Sequence, residues 1–297
     1  MIVRDKPNRL ELLFAVRGSI VPVVAPRIAF LMLAAAIVVA LHRQFGLFAE
    51  VDAVGFTIFG IALSLFLGFR NNAAYDRWWE ARRLWGGLLA DLRNLARETR
   101  IFVHDEALRL ALLRLGLAFL HLHRANLRGI TDDTRASEIA PELGRDGAGP
   151  PCAALDRMAQ KLAAARADGV IDGFGARTLG ERLASIATQQ AGCERIVSTP
   201  LPFVYSLLIY RTAYIYCLLL PLALMGPAGW MTPLFVGMVG YVFLGLAEVS
   251  EELSHPFGTT PNALPLDAIC RTAEISLAPH LGVPAPEPLE AKDFFLS

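Results

Sequence analysis

Apolar and charged residues are segregated along the chain. No Asp, Glu, Lys or Arg occurs from Gly18 to Pro26 or from Ile28 to Leu41, and Arg27 alone interrupts. Ala53 to Phe69 is uncharged over 17 residues, and Thr212 to Ala247 over 36. Gly226-Pro227-Ala228-Gly229 breaks the last run and reads as a tight turn between two helices. A hydrocarbon core takes about 20 apolar residues per helix, and lipid cannot satisfy free backbone polar groups, so each run must be helical. The pattern predicts four membrane helices, near 24–43, 51–70, 203–225 and 231–248.

Between Arg70 and Arg195 the texture changes. Leu84, Leu88, Leu89, Leu92 and Leu95 recur at helical spacing, with Arg93 and Arg97 off that stripe. The segments ALRLALLRLGLAFLHLHRANLR, ALDRMAQKLAAARADG and ARTLGERLASIATQQAGCERI read as further amphipathic helices. Gly144–Pro151 reads as an exposed loop. No run alternates with the period of two that strands require, and no internal repeat is evident. The fold class is all-α: an integral membrane protein with a helical, water-facing region over 71–200 and 249–297.

Composition agrees with a membrane protein that has substantial water-facing parts. Of 297 residues 54% are apolar and 19% charged, and mean hydropathy is +0.44. This excludes a disordered chain. Twenty-eight basic and 28 acidic residues cancel, which argues against a nucleic-acid partner, since that needs a basic footprint. Cys152, Cys193, Cys217 and Cys270 show no CxxC spacing and are expected as free thiols. The opening MIVRDKPNRLELLF is too charged for a removable signal peptide. Arg4, Lys6, Arg9 and Arg17 precede the first span, and Arg70, Arg77, Arg82 and Arg83 come after the second. The short loops 44–50 and 226–230 carry no Lys or Arg. The positive-inside rule then places both termini and the helical insert in the cytoplasm.

Three segments carry a family resemblance. Ser64-Leu65-Phe66-Leu67-Gly68-Phe69-Arg70-Asn71-Asn72 is followed by Tyr75-Asp76-Arg77-Trp78-Trp79-Glu80. Thr199-Pro200-Leu201-Pro202-Phe203-Val204-Tyr205 opens the third span. Ser254-His255-Pro256-Phe257-Gly258 leads to Pro261-Asn262-Ala263-Leu264-Pro265-Leu266-Asp267. In order and spacing these resemble the bestrophin family of ion channels, in its bacterial form, over nearly the whole chain. The resemblance implies a single bestrophin-type channel unit that assembles as a homopentamer in the cell inner membrane. It further implies one axial pore, with a neck at Ile61, Leu65 and Phe69 and a lower cytosolic aperture at Leu201.

The chemistry is consistent with that implication. Ile61, Leu65 and Phe69 sit at i, i+4 and i+8, along one face of a helix. On periodicity alone such a stripe ordinarily faces lipid or a neighbouring helix. Five copies around an axis make three stacked apolar rings, which stop ions by dewetting because a dehydrated ion finds no replacement ligands. An uncharged ring does not choose between anions and cations. The family includes chloride channels and, among bacterial members, cation-conducting ones, so the expected cargo is a small monovalent ion, chloride-type by label.

Several residues stand between two readings. Arg70, Arg77, Trp78 and Trp79 read as interfacial anchors at the end of a span, with Arg70, Asp76 and Arg77 also candidate charges at the cytosolic mouth. Asn71 and Asn72 read as a helix turn or as a cap for the next segment. Gly55, Gly60, Ala62, Ser64 and Gly68 would allow close helix packing. Arg211, within an apolar stretch, is expected in a structural salt bridge with Glu248, Glu251, Glu252 or Asp267. Leu201 between two prolines is either an ordinary helix lead-in or a side chain held rigidly toward an axis.

Metal and catalytic chemistry find no support. Animal members of the family clasp calcium with an acidic run after the Pro-Phe-Gly motif. Here Thr259 to Leu264 contains no carboxylate before Asp267, and calcium wants about six to eight oxygens, so no calcium site and no cofactor are expected. His121 and His123 are two apart on a helix and point about 200° from each other. His104-Asp105-Glu106 reads as an exposed corner or a helix start, and His255 as structural. No G-x-S-x-G, H-E-x-x-H or Walker loop occurs, so the chain is not read as an enzyme. The alternatives to a channel are a membrane scaffold or regulator whose cytosolic helices bind a partner, and, behind it, a secondary transporter, which inverted repeats would mark.

Overall fold

A computed structural model describes residues 1–3, 15–16, 18–49, 51–131, 133–143 and 150–297. Arg4, Lys6, Arg9, Arg17 and most of the Gly144–Pro151 loop lie outside the described residues. The described chain is all helix, with only isolated bridges at Ile2–Phe295 and Lys292–Phe295. In order the helices are α1 (Val21–Phe45), α2 (Ala53–Phe102), α3 (Glu106–Arg128), α4 (Arg135–Ile139), α5 (Cys152–Ala167), α6 (Gly173–Ser198), α7 (Phe203–Leu224), α8 (Thr232–Ser254) and α9 (Leu266–Leu281). Short 3₁₀ turns occupy Pro141–Leu143 and Gly229–Met231. Among the described residues four helices are long and apolar enough to cross a membrane: α1, α2, α7 and α8 with its leading turn. All four cysteines are free thiols.

The described residues form two compact units. One, the span unit, takes its residues from 5–78 and 200–255; the other, the helical unit, takes 1–4, 79–199 and 256–297. Helix α2 serves both. At 50 residues it is roughly 75 Å long, more than twice a hydrocarbon thickness of about 30 Å. Asn71 and Asn72 therefore neither turn nor cap a helix; they lie inside one. A mid-helix Asn is tolerated when its side chain leaves the local backbone alone, and the Asn71 carboxamide oxygen accepts from Ser250 at 3.3 Å instead.

The span unit is built from one apolar stripe per helix. Val24, Leu31 and Ala35 of α1 meet Leu63 and Leu67 of α2, Ile209, Ala213, Tyr216, Cys217 and Leu220 of α7, and Val236, Phe243, Leu244 and Ala247 of α8. The separations of three, four and seven residues within each helix are those that line one face. Helix α1 ends where Gly46 adopts a left-handed φ of 60° and returns its N–H to His42, a conformation that favours glycine.

In the helical unit the far half of α2 packs against α3 and α6, and α5 packs on α3 and α6. Trp85, Leu88, Leu92 and Leu95 are buried with Phe119, Leu112, Leu113, Leu115, Leu120 and Met158. Arg93 and Arg97 face solvent, as the stripe requires. Asp105 starts α3 by accepting from the N–H groups of Ala107 and Leu108. His121 and His123 do point apart. His121 reaches Glu274 at 3.1 Å, while His123 is sandwiched between Trp85 and Phe119 at centroid distances of 5.6 and 5.7 Å.

Candidate functional site

The face of α2 that matters is set by what its opposite face does. Leu63, Leu67, Arg70 and Ala74 run at i, i+4, i+7, i+11 and are all buried. The other side is thereby left open: Ile61, Leu65 and Phe69 are 66%, 58% and 61% exposed. Among the described residues of the span unit these three side chains stay mostly exposed. The hydroxyls on this part of α2 are turned back onto their own helix, Thr57 to the Ala53 carbonyl and Ser64 to that of Gly60. The open face is accordingly apolar, with few free ligands for an ion.

Close packing fixes α2 against α7. A Cβ at Gly60 would meet the Tyr216 hydroxyl at 2.8 Å, so a larger residue would have to displace the ring. Tyr216 also stacks on Phe59 at 5.7 Å. Gly55 and Gly68 by contrast face open space; being small is not put to use there within the single chain.

A polar collar ties the lower ends of the spans together. Arg70 is 5% exposed. Its guanidinium donates to Glu251 at 2.5 Å, to Ser206 at 2.9 Å and to the Ala247 carbonyl at 3.2 Å, joining α2, α7 and α8. Arg77 donates its Nε–H to the Ser254 carbonyl at 2.8 Å, where the end of α8 offers carbonyls without helical partners. Arg27 of α1 reaches Glu248 at 2.8 Å, and the Tyr210 hydroxyl donates to the same carboxylate at 3.1 Å. Arg70 and Arg77 are therefore structural clasps directed into the unit. The reason is cost: a cation as buried as Arg70 is tolerated when paired and hydrogen-bonded. Tyr75 stacks on Trp78 at 6.4 Å, and Trp79 is 45% exposed.

Leu201 sits between Pro200 and Pro202, ahead of α7, and is half-buried. With Phe69, Arg70, Pro202 and Tyr205 it lines a cavity of about 370 Å³. The structure thus brings the lowest of the three neck candidates and the aperture candidate to one space. Ile61 and Leu65 stand higher on α2, outside it.

Arg211 does not make the expected salt bridge. It is exposed. Of its four candidate partners, Glu248 is held by Arg27 and Glu251 by Arg70. Glu252 is engaged elsewhere, and Asp267 belongs to the helical unit, where Arg124 and Arg128 bind its two oxygens at 2.5 and 2.6 Å. Burial alone would push the Asp267 carboxyl up, but the two guanidinium groups outweigh it and hold it below the ordinary carboxylate range. The first carboxylate after the Pro-Phe-Gly motif is spent on arginine.

The helical unit has its own charged hub, which the sequence did not announce. Glu274, 7% exposed, accepts from His121 and from Arg135 at 3.0 Å and faces Arg271 at 2.9 Å. Burial opposes its ionisation, yet the bonds from His121 and Arg135 prevail and bring its pKa down to about 2. Arg182 similarly bridges Glu98 and Asp91, each at 2.6 Å. No group of three or more His, Cys, Asp or Glu among the described residues is arranged to hold a metal ion.

Comparison with known proteins agrees with this architecture. A family model described as bacterial/fungal bestrophin protein matches residues 1–279. A voltage-dependent anion channel-forming protein of Mesorhizobium japonicum is 48% identical over 301 residues, covering 100% of this chain and 97% of its own. One of the same description from Escherichia coli K12 is 37% identical over 284 residues, 93% of either chain. The crystal structure of a bacterial bestrophin homologue from Klebsiella pneumoniae superposes with a TM-score of 0.79 at 32% identity, over 87% of this chain and 98% of that one. The chain belongs to the bacterial and fungal bestrophin family.

Proposed function

We propose that this ion channel is a homopentamer of the inner membrane with both termini cytoplasmic. It passes small monovalent ions, anions by the description its relatives carry, through a neck of Ile61, Leu65 and Phe69 above an aperture at Leu201. The reading rests on one observation: among the described residues the three neck residues form an exposed apolar face of α2, opposite the buried stripe Leu63, Leu67, Arg70, Ala74. Around an axis, that face becomes three greasy rings that exclude ions until they widen enough to readmit water. No catalytic step belongs to this reading. Replacing all three by Ala is expected to raise single-channel conductance in a reconstituted bilayer. Unchanged currents in an assembled variant would remove the neck assignment.

The channel is read as insensitive to calcium. Two features support this: residues 259–264 carry no carboxylate, and both Asp267 oxygens are taken by arginine. Micromolar calcium is expected to leave ion flux from proteoliposomes unchanged, and a calcium-dependent flux would overturn the reading.

A further inference from the structure

Arg211 is a cation placed where the proposed neck has none. It is the ninth residue of α7, a helix apolar enough to span a membrane, and its guanidinium has no hydrogen bond or ion pair among the described residues. Two contacts between the antiparallel helices α2 and α7 set its height. Arg70 bonds Ser206 near the lower end, and Phe59 stacks on Tyr216 higher up. Five residues up α7 from Ser206, and five back along α2 from Arg70, reach Arg211 and Leu65. Counting from the upper contact returns the same level to within one residue, roughly 1.5 Å. Arg211 therefore stands at the height of the middle ring.

Its direction is equally constrained. Ile209, Ala213, Tyr216 and Leu220 turn α7 toward the core of the span unit. Thr212 lines a small cavity with Phe59, Ala62 and Phe66 of α2. Arg211 points out of the unit, about 100° from Thr212. A charge at this depth is sustained by water or by protein, not by acyl chains. In a ring of identical subunits the outward side that offers either is the neighbouring copy and the water path it lines.

We infer that Arg211 sets the sign of the permeant ion: a ring of identical guanidinium groups, level with Leu65 and behind an uncharged wall, biases the neck toward anions. The inference rests on the proposed channel function. Apolar rings fix where ions are stopped but not which sign passes. Fixed cations across a low-dielectric wall act over such distances with little screening and lower the barrier for an anion while raising it for a cation.

The test is the reversal potential of purified channels in planar bilayers across a KCl gradient, with assembly checked by native mass spectrometry. R211Q is expected to cut the chloride-to-potassium permeability ratio at least ~5-fold, R211E to invert the preference, and R211K to keep it. An assembled R211Q with the wild-type ratio overturns the inference. If R211Q alone does not assemble, co-expression with the wild-type chain supplies mixed rings. Their reversal potential should shift in step with the Gln share, and mixed rings that reverse like the wild type also overturn it. Absence of current from the wild type itself would instead remove the channel reading.

Discussion

Up to Trp78, α2 buries Leu63, Leu67, Arg70 and Ala74 and exposes Ile58, Ile61, Leu65 and Phe69. Beyond Trp78 the same helix buries Trp85, Leu88, Leu92 and Leu95 and exposes Arg82, Arg83, Arg93 and Arg97. The first half shows apolar residues on both faces; the second sorts them. Only 22% of the spanning window of α2 is buried. So large a bare apolar surface marks contact with membrane or other protein. The polar groups are sorted in the opposite sense. In the span unit they gather at one collar, and each clasp joins helices far apart in sequence. In the helical unit they form networks around single carboxylates or guanidinium groups.

The largest effect is expected where the span unit has fewest alternatives. Glu251→Ala leaves the Arg70 guanidinium buried without its counter-charge. Breaking such a pair typically costs about 3–5 kcal/mol, and the lower end applies because the Glu251 side chain is 41% exposed. Thermal unfolding of the detergent-solubilised assembly should show the loss. The double substitution Arg70→Met with Glu251→Ala should recover most of it, since then no unpaired charge stays behind. A single variant as stable as the wild type would mean that the collar is not a structural feature.

A comparable but pH-dependent effect belongs to the helical unit. Burial between Trp85 and Phe119 lowers the His123 pKa from 6.5 to about 4. The unfolded chain thus binds this proton more readily than the folded one. Stability from His123 is complete above about pH 6.5 and is lost as pH falls toward 4, by about 3 kcal/mol in all. Burial lowers His121 in the same direction. Glu274 acts in a separate window, its contribution being present above 4.5 and lost as pH falls toward 2. His123→Leu should therefore flatten the stability profile between pH 6.5 and 4 without removing the decline below it. An equally steep profile in the variant would place the acid sensitivity elsewhere.

These two tests also mark what a linear pattern conveys. Four uncharged runs announce four apolar helices because lipid leaves the backbone one solution. The stripe Leu88, Leu92, Leu95 announces its own burial, and three motifs announce the family. The partners of single charges stay hidden. Arg70 at the end of an apolar run and before two tryptophans has the pattern of an interfacial anchor, and only the fold brings Glu251, 181 residues away, within 2.5 Å. Arg211 fails the other way: the sequence offers four candidate acids, but Arg27 takes Glu248, Arg70 takes Glu251, Arg124 and Arg128 take Asp267, and Glu252 is engaged elsewhere. Asn71 looks like a breaker by propensity, and tertiary contact with Ser250 overrides that. Long helices and stripes are local properties, whereas ion pairing is a competition settled across the whole chain.

The smallest effect concerns how helices begin in either unit. Proline opens helices in both units: α1 and α8 carry it at one of their first positions, and α5, α7 and α9 come directly after Pro151, Pro202 and Pro265, all five without a side-chain cap. Proline suits such a start because it brings no N–H that would need a partner. Carboxylates serve at other starts: Asp52 accepts from the Val54 N–H at the head of α2, Asp105 caps α3 and Asp172 caps α6. A carboxylate there accepts orphan N–H groups and complements the helix dipole, in a setting where water keeps it charged. Asp105→Ala removes the bonds to Ala107 and Leu108, of 2.8 and 3.3 Å, and frees exposed N–H groups that water can satisfy in part. The expected loss is about 1 kcal/mol, read as a small drop in unfolding temperature with the reversal potential unchanged. Because the cap holds only the first turn of α3, a shift in ion preference in this variant would show that the helical unit, and not the neck alone, sets what passes.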